Sequence, residues 1–240
     1  MTDIEAKISN YSPPANLVEQ LKGIKLVFLV GITAAGKDTI AGKLFASGRY
    51  TKIISHTTRL PRENDGVIEV EGVNYYFVDM PKIESMVDKE EFFELKYNHG
   101  KVYGTSLMAL AKVRDSGKIG LSDIDVQGVS EYMSLLAGYV TPVFILPPDY
   151  QTWQRRFNSR YDGSGGVADK ERLVRLQTAE SELKDALTND YFEFVINDDL
   201  ARAVEVVDQI AHGQTSRHKN TEAKSVAEQL LSELRRELVR

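Results

Sequence analysis

A glycine-bracketed segment with one lysine is the part of this sequence best suited to bind phosphate. Residues 31–39 read GITAAGKDT and directly follow the apolar run Leu26–Val30. A strand followed by a glycine-rich turn and a helix presents backbone N–H groups and a helix N-terminus to an anion. The spacing matches a P-loop, whose lysine reaches the outer phosphates. We predict a phosphate site at Gly31, Ala34, Ala35, Gly36, Lys37, Asp38 and Thr39. An ordinary glycine-rich turn with a solvated lysine is the alternative.

Asp38 departs from the P-loop pattern, which has Ser or Thr after the lysine as a hydroxyl ligand for Mg²⁺. A carboxylate is also a hard oxygen ligand for that ion, although it adds negative charge beside the phosphates. We therefore predict Asp38 as a magnesium ligand.

Two other pairs of charged residues could take part in the same chemistry. Arg59 and Arg62 flank Pro61 in an extended or turn segment, where two planar guanidinium groups can clamp one phosphate. Asp123 and Asp125 follow a predicted strand, at the end where open α/β sheets bind ligands and metals. Solvated arginines and aspartate helix caps are the alternatives.

A third set of charges borders a glycine- and serine-rich loop at residues 161–166. Arg156 and Arg160 precede this loop, which we predict to be part of a mobile lid that closes over phosphates. Solvated helix charge is the alternative.

The elements that must position these residues alternate between strands and helices. Predicted strands at 26–30, 53–55, 119–123, 140–146 and 194–197 are separated by predicted helices. This alternation indicates an α/β fold, a parallel sheet covered by helices on both faces. Residues of roughly 60–103 interrupt it as an inserted α+β lobe, with a small antiparallel sheet at 67–78 and a helix over 79–93.

Both ends of the chain lie outside this alternation. Residues 1–24 are polar, with a short amphipathic piece at Leu17, Val18 and Leu21 that either packs on the domain or belongs to a mobile arm. Residues 221–240 predict an amphipathic helix after a polar linker. This helix either docks on its own domain or pairs with another chain as a homodimer.

Composition restricts the class of protein. The 240 residues are 42% hydrophobic and 27% charged, with no cysteine and a net charge of -5. We expect a globular cytoplasmic protein without disulfides, a cysteine nucleophile or a thiolate metal site. No apolar run reaches the roughly 20 residues that cross a bilayer, and the acidic balance argues against a nucleic-acid partner.

Taken together, the motifs resemble those of the guanylate kinases over about residues 25–210. The P-loop is followed in order by SHTTRLPR at 55–62, GVNYYFV at 72–78, Glu94 with 100–105, DIDVQG at 123–128 and NDDL at 197–200. The resemblance implies a P-loop NTPase-type fold with a nucleoside-monophosphate-binding lobe and a helical lid. It also implies transfer of the ATP γ-phosphoryl group to GMP or dGMP with Mg²⁺.

The resemblance assigns roles residue by residue. Lys37, Arg59, Arg156, Arg160 and Arg175 would be catalytic, and Asn197 would join the P-loop in binding ATP. The residues implied to bind GMP are Ser55, Arg59, Arg62, Tyr75, Glu94, Tyr103, Thr105 and Asp125. Asp38 and Asp123 are the candidate magnesium ligands.

The resemblance also divides the chain into an N-terminal arm, a core, a GMP-binding lobe and a C-terminal segment. The predicted bounds are 1–24 for the arm, 25–58 with 104–212 for the core (lid about 150–175), 59–103 for the lobe and 213–240 for the C-terminal segment. Two alternatives stay open: a binding module with weak or no turnover that recognises a phosphorylated partner, and a kinase of another nucleoside monophosphate.

Overall fold

The apolar run Leu26–Val30 forms a fully buried strand in the computed structural model, which describes residues 3–64, 66–98, 100–159, 166–214 and 217–239. Contacts divide the chain into two units. Unit 1 consists of residues 1–25 and 51–120, and unit 2 consists of residues 26–50 and 121–240.

The helices, in chain order, are α1 (Asp3–Ser9), α2 (Ala15–Gln20), α3 (Lys37–Ala46), α4 (Met80–Asp88), α5 (Leu107–Asp115), α6 (Val126–Leu136), α7 (Tyr150–Asn158), α8 (Gly166–Thr188), α9 (Leu200–Ala211) and α10 (Arg217–Leu238). The strands are β1 (Leu26–Val30), β2 (Tyr50–Lys52), β3 (His56–Thr57), β4 (Glu63–Asn64), β5 (Val67–Ile68), β6 (Tyr76–Phe77), β7 (Phe92–Asn98), β8 (Lys101–Ser106), β9 (Ile119–Asp123), β10 (Val140–Leu146) and β11 (Glu193–Ile196).

The larger sheet is built on β1 and β10. Among the described residues its strand order is β11-β10-β1-β9-β2. β10 runs parallel to both β1 and β11, and Val143–Leu146 are completely buried. Strands covered on both faces are continuous apolar runs in this way. The predicted α/β fold with a parallel sheet flanked by helices is confirmed.

Unit 1 contains a second sheet in the order β6-β3-β8-β7. β7 and β8 pair antiparallel and form a hairpin around Gly100. The predicted small antiparallel sheet at 67–78 is only partly correct. β5 pairs antiparallel with β4, but β6 pairs parallel with β3 instead.

The helix predicted over 79–93 is wrong in its second half. α4 begins after Asp79, whose carboxylate accepts a hydrogen bond from Lys82 N, and it ends at Asp88. Glu90 then adopts a φ of 56°, which breaks the helical path. β7 begins at Phe92, which is fully buried. The strand predicted at 53–55 is also wrong, because β2 covers Tyr50–Lys52 and ends before those residues.

Both terminal segments pack within their own units. In unit 1, Ile8 and Leu21 are buried, and Tyr11 Oη donates a hydrogen bond of 2.7 Å to Phe92 O. In unit 2, α10 packs against α7, α8, β10 and β11. Its buried residues are Ala223, Ala227, Leu230 and Leu234. Intramolecular docking is therefore the role that the apolar face of α10 has here. None of the described helices is both long and apolar enough to cross a membrane.

Candidate active site

The loop between β1 and α3 has the strand-turn-helix geometry that the sequence predicted. Gly31, Ala34 and Gly36 adopt positive φ angles of 141°, 64° and 94°, and Ala35 N donates to Ile32 O at 3.1 Å. A Cβ on Gly31 would lie 2.4 Å from Ile145 O. Glycine is therefore required at position 31 by both conformation and space.

Two side chains from unit 2 hold the loop in place. Asn197 donates its amide hydrogen to Ala35 O at 2.8 Å, and Trp153 Nε1 donates to Thr33 O at 2.9 Å. Both side chains are at least nine-tenths buried. Arg156 in turn donates to Asn197 O at 3.3 Å. The predicted ATP-binding Asn197 thus supports the loop directly, and the predicted lid residue Arg156 contacts the backbone that carries it.

Lys37 is the first residue of α3, and its ammonium group bends back over the loop. Nζ donates to Gly31 O at 2.5 Å and lies 3.4 Å from Ile32 O. Asp38 and Thr39 follow in the first turn and are exposed. The lysine is therefore fixed beside the same backbone that would surround a phosphate.

Glu182 of α8 shares the electrostatic surroundings of Lys37. Burial raises the pKa of the Glu182 carboxyl to about 7, although the charges of Lys37 and Arg175 oppose the rise and Asp125 adds to it. The structure thus brings the predicted residues Lys37, Asp125 and Arg175 within electrostatic range of one acid that the sequence did not single out. Glu182 titrates near neutral pH as a result.

This raised pKa predicts that Glu182→Gln stabilises the protein at high pH. The folded-state pKa of about 7 lies above the ordinary 4.5, so the folded state binds more protons between these values and stability falls as pH rises through them. The free energy of unfolding of the variant minus that of the wild type should be larger by roughly 2 kcal/mol at about pH 8 than at about pH 5. Urea unfolding of both proteins at the two pH values measures the difference.

The difference between variant and wild type also cancels the contribution of His56 to the pH dependence of stability, which has the opposite sign. Burial lowers the pKa of His56 to about 4, so His56 makes stability rise with pH over much of the same range. Glu228, exposed on α10 in the same unit, provides a control as Glu228→Gln. A stability gap that stays constant with pH would contradict the assignment to Glu182.

The candidate magnesium ligands are both in unit 2. Asp123 ends β9 and is exposed, like Asp38. The described residues contain no group of three or more acidic or histidine side chains that could hold a metal. Mg²⁺ commonly binds through one or two carboxylates together with waters and substrate phosphates. Two exposed carboxylates fit an ion that is bound mainly by the nucleotide.

In unit 1, the predicted phosphate-binding residues form a connected group around Arg59. Its guanidinium lies 5.2 Å from the ring centroid of Tyr75, and the Tyr75 and Tyr103 rings are 6.3 Å apart. Arg59 also makes a two-bond contact with Glu69. The Arg62 side chain is exposed, while its backbone N–H donates to the same Glu69 carboxylate at 2.8 Å.

The predicted guanine-binding residues of unit 1 are arranged by the β7–β8 hairpin. Glu94 and Thr105 are opposite each other in the register, so their side chains lie on one face of the hairpin. Tyr103 precedes Thr105 by two residues and shares that face. The hydroxyls of Ser55 and Thr105 are 3.0 Å apart. Gly104 lies between Tyr103 and Thr105, and a Cβ on it would be 2.8 Å from Glu94 O. This close approach explains why position 104 is glycine.

Asp125 belongs to unit 2 and caps α6. Its Oδ1 accepts a hydrogen bond of 2.6 Å from Gly128 N. This is the helix-cap role that the sequence left as the alternative, and a role in guanine binding stays a prediction. Arg175 lies on α8, 3.7 Å from Glu171. Arg160 lies outside the described residues, as does most of the predicted lid loop.

Sequence reasoning missed Glu69, Glu182 and Trp153. Trp153 is the single tryptophan of the chain, and the sequence around it does not indicate that its indole N–H binds the loop at Thr33 O. The two glutamates are in stretches rich in charged residues, where a buried ion pair or a raised pKa leaves no sequence pattern.

Comparison with known proteins agrees with the resemblance. The sequence pattern described as guanylate kinase matches residues 23–214. A guanylate kinase of Geobacter metallireducens is 36% identical over 188 residues, which cover 77% of this chain and 86% of that protein. Guanylate kinase 1 of Oryza sativa subsp. japonica is 34% identical over 77% of this chain and 47% of that protein.

A solved structure supports the same assignment. The crystal structure of guanylate kinase from Anaplasma phagocytophilum aligns with a TM-score of 0.56 at 26% identity. The alignment covers 82% of this chain and 89% of that one. With a family pattern over most of its length and relatives above 30% identity, this chain belongs to the guanylate kinase family.

Proposed function

We propose that this protein transfers the γ-phosphoryl group of ATP to GMP or dGMP, giving ADP and the guanosine diphosphate. One observation carries the proposal: a member of the guanylate kinase family retains both glycines and the lysine of the P-loop, with Lys37 hydrogen-bonded across the loop to Gly31 O at 2.5 Å. A module that had lost turnover would not need this lysine or the strained glycine conformations of the loop.

In this proposal the P-loop holds the donor phosphates. Gly31, Ala34, Ala35 and Gly36 shape the loop, and Asn197 keeps it in place through Ala35. Lys37 neutralises charge that moves from the γ-phosphoryl group to the leaving oxygen. Arg156, Arg160 and Arg175 are the proposed lid arginines that stabilise the transferring group. The transfer asks for positioning and charge neutralisation more than for covalent chemistry by the protein.

The acceptor residues of unit 1 divide between phosphate and base. Arg59, Arg62, Tyr75 and Tyr103 are proposed to bind the phosphate of GMP. Ser55, Glu94 and Thr105 are proposed to bind guanine, and the family resemblance implies the same role for Asp125. Guanine presents two adjacent donors, N1–H and the exocyclic amino group, and the carboxylate of Glu94 can accept from both. A buried acceptor discriminates strongly against a base that leaves it unpaired.

Asp38 and Asp123 are the residues we propose to hold Mg²⁺, which would supply further charge neutralisation on the β- and γ-phosphates. For Asp38 we expect Asp38→Ala to lower activity by on the order of tenfold at low Mg²⁺ and by less at high Mg²⁺, because a lost ligand weakens metal affinity. Asp38→Ser should retain much of the activity, since a hydroxyl is the usual P-loop ligand. Initial rates over a Mg²⁺ series measure both. A loss of equal size at every Mg²⁺ concentration would count against a metal-binding role.

The experiment that tests the proposed function is a substrate panel. The purified protein is incubated with ATP, Mg²⁺ and each of GMP, dGMP, AMP, UMP and dTMP, and diphosphate formation is measured. Turnover confined to guanine nucleotides supports the proposal. Turnover of another monophosphate favours the alternative kinase. GMP binding in calorimetry without turnover favours the binding module.

Three further expectations from the sequence stay predictions. They are the cytoplasmic location, the absence of a nucleic-acid partner and self-association through α10. Because the apolar face of α10 is covered within its own unit, a homodimer through this helix would use its exposed residues. Light scattering of the full chain measures its mass in solution.

A further inference from the structure

Glu69 is the carboxylate that holds Arg59. Arg59 Nη1 donates to Glu69 Oε2 at 2.7 Å, and Nη2 donates to Oε1 at 2.9 Å. The two side chains are only 9% and 11% exposed. Two parallel charge-assisted bonds fix the plane of a guanidinium as well as its position. The orientation of Arg59 is therefore set by Glu69 before any ligand binds.

The surroundings of this pair hold both members rigidly. Arg62 N donates to Glu69 Oε2, and Glu69 N donates to Arg62 O, both at 2.8 Å. Arg59 Nη1 donates a further bond of 2.8 Å to Leu60 O. The guanidinium also lies over the rings of Tyr75 and Phe77, 5.2 Å and 5.9 Å from their centroids. Neither side chain can turn without breaking several contacts.

The contacts use one edge of the guanidinium and leave the other. A guanidinium has five N–H donors. Nη1 donates one hydrogen to Leu60 O and the other to Glu69, and Nη2 donates one hydrogen to Glu69. Within the described part of the chain, no acceptor contacts Nε–H or the second Nη2–H. These two donors are parallel on the adjacent Nε–Nη2 edge, which is the geometry that binds two oxygens of a phosphate.

The pair also has a charge consequence. The hydrogen bond from Arg59 lowers the pKa of the Glu69 carboxyl, so Glu69 is ionised at neutral pH. The Arg59–Glu69 pair is then neutral as a unit. Any benefit of Glu69 to phosphate binding must come from orientation, because its charge alone would repel a phosphate.

We propose that Glu69 is a positioning residue that presents the Nε–Nη2 edge of Arg59 to the phosphate of the acceptor nucleotide. The inference rests on the proposed function, in which Arg59 binds that phosphate. An arginine already held in its binding orientation loses less conformational freedom when the ligand arrives, and this increases affinity.

The test is Glu69→Gln, with GMP and guanosine as probes in titration calorimetry and with steady-state kinetics. The neutral amide can accept only one of the two bonds, and its NH₂ group opposes the other donor. We expect GMP to bind on the order of tenfold more weakly and its KM to rise similarly, with kcat changed by less than about twofold. Guanosine affinity should equal that of the wild type, because guanosine carries no phosphate.

Two comparisons make the result specific. Glu84→Gln removes the same charge from an exposed position on α4 in the same unit and should leave GMP affinity unchanged. In a double-mutant cycle, Glu69→Ala should weaken GMP binding in the wild type but have no effect in the Arg59→Ala background.

The outcomes separate this proposal from the proposed function. Unchanged or tighter GMP binding by Glu69→Gln, equal losses for GMP and guanosine, or an effect that persists without Arg59 would each overturn the positioning role. None of those results contradicts the proposed kinase function, provided that the wild type phosphorylates GMP. A wild type without that activity would instead remove the basis of both proposals, and an Arg59→Ala variant with normal GMP affinity would remove the basis of the positioning role alone.

Discussion

Replacing Lys37 by alanine should lower kcat for GMP phosphorylation by about 10²–10³-fold, the effect of removing one preorganised donor at a site of developing charge. Lys37 is bound to the P-loop backbone at Gly31 O, so its charge is in place before the nucleotides bind. Alanine leaves the loop glycines untouched and removes that charge together with its hydrogen bond to the loop. Initial rates of ADP formation at saturating ATP and GMP measure the loss.

A second lysine of the same helix provides the matched control. Lys43 lies in the last turn of α3 and is exposed. Lys43→Ala should keep activity within about twofold, because charges on the surface contribute little beyond their own turn. Lys37→Ala with more than about a tenth of wild-type activity would contradict the catalytic role of Lys37.

The second large effect concerns the choice of base. Glu94→Gln should lower kcat/KM for GMP by about 10²-fold or more and raise the preference for AMP. Glutamate can accept from both donors of guanine, whereas the glutamine amide has one acceptor and one donor group. That arrangement opposes guanine but matches the N1 acceptor and amino donor of adenine. The ratio of kcat/KM values for GMP and AMP measures the switch.

The side-chain exchange itself needs a control because it removes a charge from unit 1. Glu84 lies exposed on α4 in that unit, and Glu84→Gln should leave the GMP to AMP ratio unchanged. If Glu94→Gln lowers kcat/KM for GMP and for AMP equally, Glu94 supports the hairpin and does not bind guanine.

Local signals in the sequence predicted the larger elements well. β1, β9 and β10 begin and end at the predicted residues, because each is a short run built around buried apolar residues. Unit 1 was harder to predict. Its strands β3 to β6 are only two residues long, and the pairing of β6 with β3 depends on contacts between segments distant in sequence.

The same division applies to the candidate site. The P-loop is recognised from a pattern of consecutive residues, and its geometry follows the prediction. The partners of the charged residues are set by packing. Glu69 reaches Arg59 across a turn with two short strands, and Glu182 shares its surroundings with Lys37 through the packing of α8. No spacing rule identifies such pairs.

The packing of α10 bears on where this protein can be shortened. The family pattern ends at residue 214 and α10 begins at Arg217, so α10 looks like an appendage in sequence. It nevertheless buries Ala223, Ala227, Leu230 and Leu234. Its last turn also ties Glu237 to Arg172 and Gln154. A fragment cut at the family boundary would expose an apolar strip along α8 and β11, a surface prone to aggregation. A truncation that keeps this apolar surface covered therefore has to retain a helix that lies outside the matched family pattern.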